Sequence, residues 1–383
     1  MSAFPRGAAA LVGTATYGLG ESPGLSSIDM AVHASVRALS ACGLAPADVD
    51  GLFICLADDP LSGLTLAEYL GVQPKVLDNS RLGGSSFQMH LFWATLALAA
   101  GQCDVALIAY GSNQKTATGK LMTAAGLSGY ESPYKALAPI SSYALAVARH
   151  MHEFGTTRKH LAEVAVAARS WAKLNPEAVM RADLSIDDCL NARLVSSPLG
   201  LRDCCLVTDG AAAAVVVRAE RARDLCRYPA YVLGAASSVT HRDISSMPDL
   251  TTTAAVQSAA RAYAQAGIGV GDVDVVQLYD AFTINTIMLL EDLGFCAKGE
   301  GGAFVSGGRI APGGELPVNT NGGGLSCVHP GMYGLFTLVE AARQIGGECG
   351  ARQVPDVNIA LAHGNGGVLS SQATVVLCSA AAL

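Results

Sequence analysis

Two stretches, "CGLAPADVDGLFIC" (42–55) and "AGIGVGDVDVVQLY" (266–279), are variants of one pattern placed 224 residues apart. In each, a glycine turn and a D-V-D triplet lead into an apolar run typical of a buried strand. Each follows an alanine-rich run with helical periodicity, and a second pair, "CDVALIAYGS" (103–112) and "PDVNIALAHG" (355–364), repeats a strand further along. The repeated order of elements predicts a duplicated fold.

Strands that alternate with helices indicate an α/β protein, and we expect a mostly parallel sheet with helices on its faces. The repeat divides the chain into an N-terminal half, 1–227, and a C-terminal half, 228–383. Residues 113–200 differ in composition from the sequence on either side, and we interpret them as a loop subdomain inserted in the first half. Its helical part carries five basic residues, most of which we expect on a solvated face, with one or two contacting a phosphate: Arg149, Arg158, Lys159, Arg169 and Lys173.

The composition excludes several classes of function. Of 383 residues, 51% are hydrophobic and 15% are charged, which predicts a large buried core. A net charge of −7 argues against nucleic acid as a partner. The apolar N-terminus is too short and too often broken by glycine for a spanning helix, and it lacks the charged start of a signal peptide. We therefore expect a cytoplasmic protein that does not insert into membranes.

The 11 cysteines are scattered without a CxxC pair, so we expect neither disulfides nor a metal site. "LGGSS" (82–86) and "HPGMYG" (329–334) each precede an apolar helical run. Such turns place backbone N–H groups at helix N-termini, where anions are favoured. The glycines also allow a ligand oxygen to approach the backbone closely.

Several motifs resemble those of the thiolase superfamily, in the same order along the chain. "NTNGGGLSCVHPGMYG" (319–334) is similar to the loop that delivers a catalytic histidine, and "LYDAFT" (278–283) to the Asn-Glu-Ala-Phe segment. "HGNGG" (363–367) is similar to the C-terminal Cys-x-Gly-Gly block, and "CCLVTDGAAAAVVV" (204–217) to the end of the first half. The closest resemblance is to sterol-carrier-protein-type thiolases, thiolase-like lipid-transfer proteins and steroid side-chain aldolases. It implies five layers, α-β-α-β-α, built from two βαβαβ halves.

The departures from the thiolase pattern decide the expected chemistry. The acyl-accepting cysteine is replaced by Gly83, the second cysteine by His363, and the asparagine of Asn-Glu-Ala-Phe by Tyr279. Ser85, Ser86 and Cys327 stay open as alternative nucleophiles, although a serine needs a neighbouring base. We interpret His90 as buried in a helix interface.

The resemblance and the residues together predict a set of site residues. We expect His329 to be the acid–base group because imidazole titrates near neutral pH, with Tyr279 as a hydroxyl donor and Tyr333 as a second phenol. His363 either transfers a proton or orients its neighbours, and Asp280 either orients them or caps the next helix. The groups expected to bind the thioester or its oxyanion are Gly83, Gly84, Ser85, Asn365 and Gly366.

These residues predict a carbon–carbon lyase that performs retro-aldol cleavage of a bulky, steroid-like 3-hydroxyacyl-CoA without an acyl-cysteine. Thiolase-type acyl transfer with another nucleophile, and non-catalytic acyl-CoA or lipid binding, stay open. We expect no cofactor bound by the chain, with a coenzyme A thioester as substrate. The resemblance also implies a homodimer formed through the first-half sheet edge, or a small partner with an OB fold and a zinc ribbon.

Overall fold

The computed structural model describes residues 4–119 and 129–383. Within them the chain forms eleven strands: β1 Ala9–Gly20, β2 Gly51–Ile54, β3 Val76–Asp78, β4 Val105–Ser112, β5 Leu194–Ser196, β6 Leu199–Gly200, β7 Asp209–Arg218, β8 Ala230–Val239, β9 Val275–Leu278, β10 Ile359–Gly366 and β11 Ser371–Cys378. The helices are α1 Ser27–Ala41, α2 Ser62–Leu70, α3 Ser86–Ala99, α4 Gln114–Thr118, α5 Ile140–Phe154, α6 Arg158–Lys173, α7 Ile186–Leu190, α8 Ala219–Leu225, α9 Ala255–Ala266, α10 Thr283–Asp292, α11 Gly301–Phe304 and α12 Gly334–Gly346.

Nine strands form one hydrogen-bonded sheet in the order β3-β2-β4-β7-β1-β8-β11-β10-β9. The first half contributes β2-β4-β7-β1 and the second half contributes β9-β10-β11-β8, in matching order. The pairing also matches, because β2 and β4 are parallel, as are β9 and β10, and the remaining neighbours within each of these four-strand sets are antiparallel. The first half adds β3, which pairs in parallel with β2. The duplication predicted from the sequence is confirmed.

The expectation of a mostly parallel sheet is wrong. Only the pairs β2–β3, β2–β4 and β9–β10 are parallel within the sheet. The return strands β7 and β11 run antiparallel beside β4 and β10, so each half combines parallel pairs toward the sheet edge with antiparallel pairs toward the sheet centre. Apolar runs alone do not distinguish these arrangements, because both kinds of strand are buried on two faces here.

The halves meet around two central helices, α3 and α12, which contact each other and strands of both halves. Helix α1 covers the first half from outside, and α9 covers the second. This gives the five layers α-β-α-β-α that the thiolase resemblance implies. Helix α12 is buried on nearly every side, which explains its apolar sequence. Both turns expected to precede helices do so, since α3 begins at Ser86 and α12 at Gly334.

The segment 113–200 holds α4 to α7 and the β5–β6 hairpin, which lies outside the large sheet. Helix α6 packs on α10 and on the glycine-rich turn 323–327, so the segment is anchored beside the second half. None of the helices in residues 4–119 and 129–383 is long and apolar enough to cross a membrane.

Candidate active site

Segments from both halves converge on a cavity of 260 Å³. Tyr279 directly follows β9, Asn365 lies near the end of β10, and the turns before α3 and α12 contribute the rest. Five of the residues predicted from the sequence line this cavity: Gly83, Gly84, Tyr279, His329 and Asn365. Five others lie behind its wall: Ser85, Asp280, Tyr333, His363 and Gly366.

Tyr279 and His329 form a hydrogen-bonded pair at the cavity wall. The Tyr279 hydroxyl lies 3.0 Å from His329 Nε2 and 3.1 Å from the Gly331 carbonyl oxygen, and the two rings meet edge to face. Burial lowers the pKa of His329 to about 4 and raises that of Tyr279 well above its usual value. At neutral pH both groups are therefore uncharged, and the hydrogen bond joins a neutral phenol to a neutral imidazole.

The second ring nitrogen of His329 is not hydrogen-bonded to the described residues. Its Nδ1 is buried and has no hydrogen-bond partner among the described residues. A buried polar atom without a partner is unfavourable, and at a cavity wall it is a candidate for contact with a ligand. The loop that carries this histidine is fixed elsewhere, because Thr208 Oγ1 accepts from the His329 backbone N–H and the Gln114 side chain donates to its carbonyl oxygen.

Asp280 fixes the glycine-rich turn rather than capping the next helix. Its Oδ1 accepts from the Gly324 N–H at 2.6 Å. Helix α10 is instead capped at Phe282, whose N–H donates to the Asn285 side chain. Burial raises the pKa of Asp280 to about 7, and the backbone N–H bond opposes that rise. The orienting role suggested by the sequence therefore acts on the turn that leads to His329.

Glycine is required at two places where loops of the two halves touch. A Cβ added to Gly84 would lie 1.9 Å from Tyr279 Cε2, and one added to Gly366 would lie 1.7 Å from the Leu82 carbonyl oxygen. Gly84 thus makes room for the Tyr279 ring, and Gly366 allows the 363–367 loop to rest on the 82–85 loop. Gly83 has φ of 78°, a conformation that side chains rarely adopt.

Tyr333 lies behind the Tyr279–His329 pair. Its ring stacks on His329 and Phe336, and its hydroxyl donates to Asn321 Oδ1 at 2.8 Å. It therefore supports the imidazole, and its own hydroxyl already has an acceptor.

His363 lies in β10 opposite Thr374 of β11 and is fully buried. Its Nδ1 is 2.9 Å from Thr374 Oγ1 and its Nε2 is 2.8 Å from Gln372 Oε1. Burial lowers its pKa to about 4. Both ring nitrogens are thus occupied within the sheet, away from the cavity and from His329.

The alternative nucleophiles are placed unfavourably. The Ser85 hydroxyl is bonded to Ser371 Oγ and the Leu82 carbonyl, and the Ser86 hydroxyl to the Gly83 carbonyl. Among the described residues neither is hydrogen-bonded to a histidine, so neither has a base. Cys327 is buried away from the cavity, and burial raises its pKa far above the usual thiol value.

His90 is fully buried, and its Nε2 contacts the Ser80 carbonyl, which confirms the interface position expected from the sequence.

The sequence did not indicate five other residues that line the cavity: Tyr143, Cys205, Arg242, Phe282 and Met332. Tyr143 belongs to α5, and its hydroxyl accepts from the Asn365 amide at 3.0 Å. Arg242 is exposed beside the cavity. Cys205, Phe282 and Met332 lie within motifs that were recognised in the sequence, although no role was assigned to them. Tyr143 and Arg242 lie outside any motif, because only the tertiary fold brings α5 and the loop after β8 over the end of β10.

The basic residues of the inserted segment have mainly structural partners. Arg158 donates to the carbonyls of Cys189 and Leu190, and Arg169 donates to Ser326 and Ala182. Arg149 pairs with Glu153 and Lys173 with Asp183. Of these five residues, Lys159 is the one whose side chain makes no hydrogen bond or ion pair with the described residues, and it is exposed.

A family model described as thiolase C-terminal domain-like matches residues 236–379. An acetyl-CoA acetyltransferase of Methanothermobacter thermautotrophicus is 33% identical over 371 residues, covering 94% of this chain and 96% of that protein. The chain belongs to the thiolase superfamily. A steroid side-chain-cleaving aldolase of Thermomonospora curvata is 32% identical, covering 97% of this chain and 98% of that relative. The solved structure of an Ltp2-ChsH2(DUF35) aldolase matches with a TM-score of 0.86 at 30% identity, over 98% of both chains.

Proposed function

We propose that this thiolase-superfamily protein is a lyase that cleaves a 3-hydroxyacyl-CoA by a retro-aldol reaction. The observation that carries the proposal is the hydrogen-bonded pair of Tyr279 and His329 at the wall of a cavity whose nucleophile position holds Gly83. An acyl-enzyme cannot form on a glycine, whereas a phenol–imidazole pair can move the proton that a retro-aldol reaction requires. The similarity to steroid side-chain-cleaving and Ltp2-ChsH2 aldolases supports the same reaction.

In the proposed step the substrate's 3-hydroxyl donates its proton to the Tyr279 oxygen while Tyr279 passes its own proton to His329. The C2–C3 bond breaks, the C3–O bond becomes a carbonyl, and the electron pair moves to C2 as a thioester enolate. The proton held by His329 then returns through Tyr279 to C2, which completes a shorter acyl-CoA and restores both residues to their neutral state. Proton transfer of this kind avoids a free phenolate, which the raised pKa of Tyr279 makes unfavourable.

The enolate oxygen requires hydrogen-bond donors. Gly83 and Gly84 lie at the cavity just before α3, where the first N–H groups of a helix have no acceptor within the helix. One preorganised donor is typically worth about 3 kcal/mol at a transition state that develops negative charge. Such donors stabilise the oxyanion that forms when the carbon–carbon bond next to the thioester breaks. They therefore support a cleavage reaction more strongly than binding without reaction.

For the acyl group we propose a bulky, steroid-like ring system, which the name of the aldolase relative supports. Apolar groups line part of the cavity, including Phe282 and Met332. Arg242 is exposed beside it and is a cation suited to a phosphate of coenzyme A.

A partner protein with a DUF35 domain forms part of the proposal, because the matching solved structure is that of an Ltp2-ChsH2(DUF35) aldolase. We expect this partner to be the small OB-fold, zinc-ribbon protein that the sequence suggested. The proposed homodimer would use the edge strand β3. Apolar side chains are exposed on and near that edge, including Leu64, Tyr69 and Leu77. Light scattering of the purified chain, alone and with the co-purified partner, tests both assemblies.

Product analysis by mass spectrometry tests the reaction. A ring-bearing 3-hydroxyacyl-CoA and its 3-oxo counterpart are incubated with the protein, with and without free coenzyme A. We expect the hydroxy substrate to yield a carbonyl compound and a shorter acyl-CoA without added coenzyme A. Cleavage of the 3-oxo substrate alone, dependent on coenzyme A, would instead support the acyl transfer performed by the acetyltransferase relatives. Binding without turnover, with the partner present, would support a lipid-binding role.

A further inference from the structure

Six buried side chains form a continuous chain of hydrogen bonds that ends at the cavity. They are Ser258, Thr374, His363, Gln372, Asn365 and Tyr143. The successive distances are 2.9 Å from Ser258 Oγ to Thr374 Oγ1, 2.9 Å from there to His363 Nδ1, 2.8 Å from His363 Nε2 to Gln372 Oε1, 2.7 Å from Gln372 Nε2 to Asn365 Oδ1, and 3.0 Å from Asn365 Nδ2 to the Tyr143 hydroxyl. Only the last two residues line the cavity.

The direction of donation follows from the chemistry of each group. Gln372 Oε1 carries no proton, so His363 Nε2–H donates to it. A neutral imidazole has a single N–H, and burial keeps His363 neutral, so its Nδ1 accepts from the Thr374 hydroxyl. Thr374 in turn accepts from Ser258. Beyond His363, the Gln372 amide donates to Asn365. Every link therefore donates toward the cavity.

At the end of the chain, Tyr143 accepts from the Asn365 amide. Burial raises the pKa of Tyr143, and the hydrogen bond from Asn365 opposes that rise. Among the described residues no acceptor is hydrogen-bonded to this hydroxyl. Its own proton is left to point into the cavity.

We infer that Tyr143 is a substrate-binding hydrogen-bond donor for the thioester carbonyl of the acyl-CoA, and that His363 positions it through Gln372 and Asn365. This inference rests on the proposed function, because it assumes an acyl-CoA in the cavity. It gives His363 a role at a distance: the imidazole fixes the orientation of two side-chain amides. With the amides reversed, Tyr143 would donate to Asn365 and offer the ligand only a lone pair.

The test uses infrared spectroscopy of hexanoyl-CoA labelled with carbon-13 at the thioester carbonyl, bound to the full chain. This probe lacks a 3-hydroxyl and cannot be cleaved, so the readout does not depend on turnover. A donated hydrogen bond lowers the carbonyl stretching frequency. Tyr143→Phe should therefore raise the frequency of the bound probe and weaken its binding about tenfold. Tyr263→Phe, which removes a hydroxyl bonded to the distant Leu293 carbonyl, is the matched control and should change neither.

Gln372→Glu tests the chain itself while keeping Tyr143. A carboxylate accepts from His363 but cannot donate to Asn365 Oδ1, so the Asn365 amide should reverse and accept the Tyr143 proton. The probe should then resemble its state in Tyr143→Phe. An unchanged frequency in Gln372→Glu would overturn the positioning role of His363, and an unchanged frequency in Tyr143→Phe would overturn the inference as a whole. Failure of the wild-type protein to bind the probe would contradict the proposed function as well.

Discussion

Replacing Tyr279 by phenylalanine removes the hydroxyl that is hydrogen-bonded to the imidazole at the cavity wall. In the structure this hydroxyl contacts His329 Nε2 at 3.0 Å and the Gly331 carbonyl at 3.1 Å. Positioned proton transfer contributes about 10² to 10⁴ to a rate, so we expect kcat for the 3-hydroxyacyl-CoA to fall by at least about a hundredfold. Loss of a buried hydrogen bond should also lower the free energy of unfolding by about 1–3 kcal/mol.

Tyr333→Phe provides the matched comparison. This hydroxyl is equally buried but donates to Asn321 behind the pair, so its loss should cost similar stability. We expect kcat of this variant to fall less than about tenfold. Steady-state release of the shorter acyl-CoA, with urea unfolding of each variant, measures both effects. Equal losses of kcat in the two variants, or a Tyr279→Phe variant that keeps more than about a tenth of the activity, would refute the assignment of Tyr279.

Three further predictions follow from the site. Gly84→Ala places a Cβ 1.9 Å from Tyr279 Cε2, so kcat should fall nearly as far as in Tyr279→Phe, whereas Gly271→Ala, with open space around it, should be neutral in the same assay. Asp280→Asn should destabilise the turn held through Gly324 and lower kcat more than KM rises; unchanged kinetics would remove Asp280 from the site. Stability should fall as pH drops from about 6.5 toward 4, because burial lowers the pKa of His90, His329 and His363 to about 4 and the unfolded chain binds their three protons first. Asp280, whose pKa burial raises to about 7, offsets part of this fall; equal urea midpoints at pH 6.5 and 5 would contradict the prediction.

Much of the fold could be predicted from the sequence because the duplication is still detectable as repeated motifs. The two D-V-D turns precede β2 and β9, which occupy matching places in the sheet. Strand direction could not be predicted, since β7 and β11, which pair antiparallel on both sides, are as buried as the strands that pair in parallel. Whether two strands pair in parallel or antiparallel depends on the connection between them, and the hydrophobic periodicity of a strand does not report on that connection.

Site residues could be predicted only where a sequence motif lies at a position that the fold brings to the cavity. Tyr279 and His329 follow distinctive segments, and the structure brings their side chains together. The motif around His363 looked equally distinctive, but the side chain of a strand residue can point to either face of the sheet. The His363 ring contacts Thr374 and Gln372 instead of the cavity. No sequence feature indicated Tyr143, because its position at the cavity depends on how α5 packs.

The most direct test of the central claim follows the reaction of a 3-hydroxyacyl-CoA in deuterium oxide without free coenzyme A. Retro-aldol cleavage through an enolate predicts a shorter acyl-CoA that keeps the substrate's own coenzyme A and carries one deuterium at C2, in amounts equal to the carbonyl product. Formation of the shorter acyl-CoA only after coenzyme A is added, with the added molecule incorporated into a product, would contradict the account.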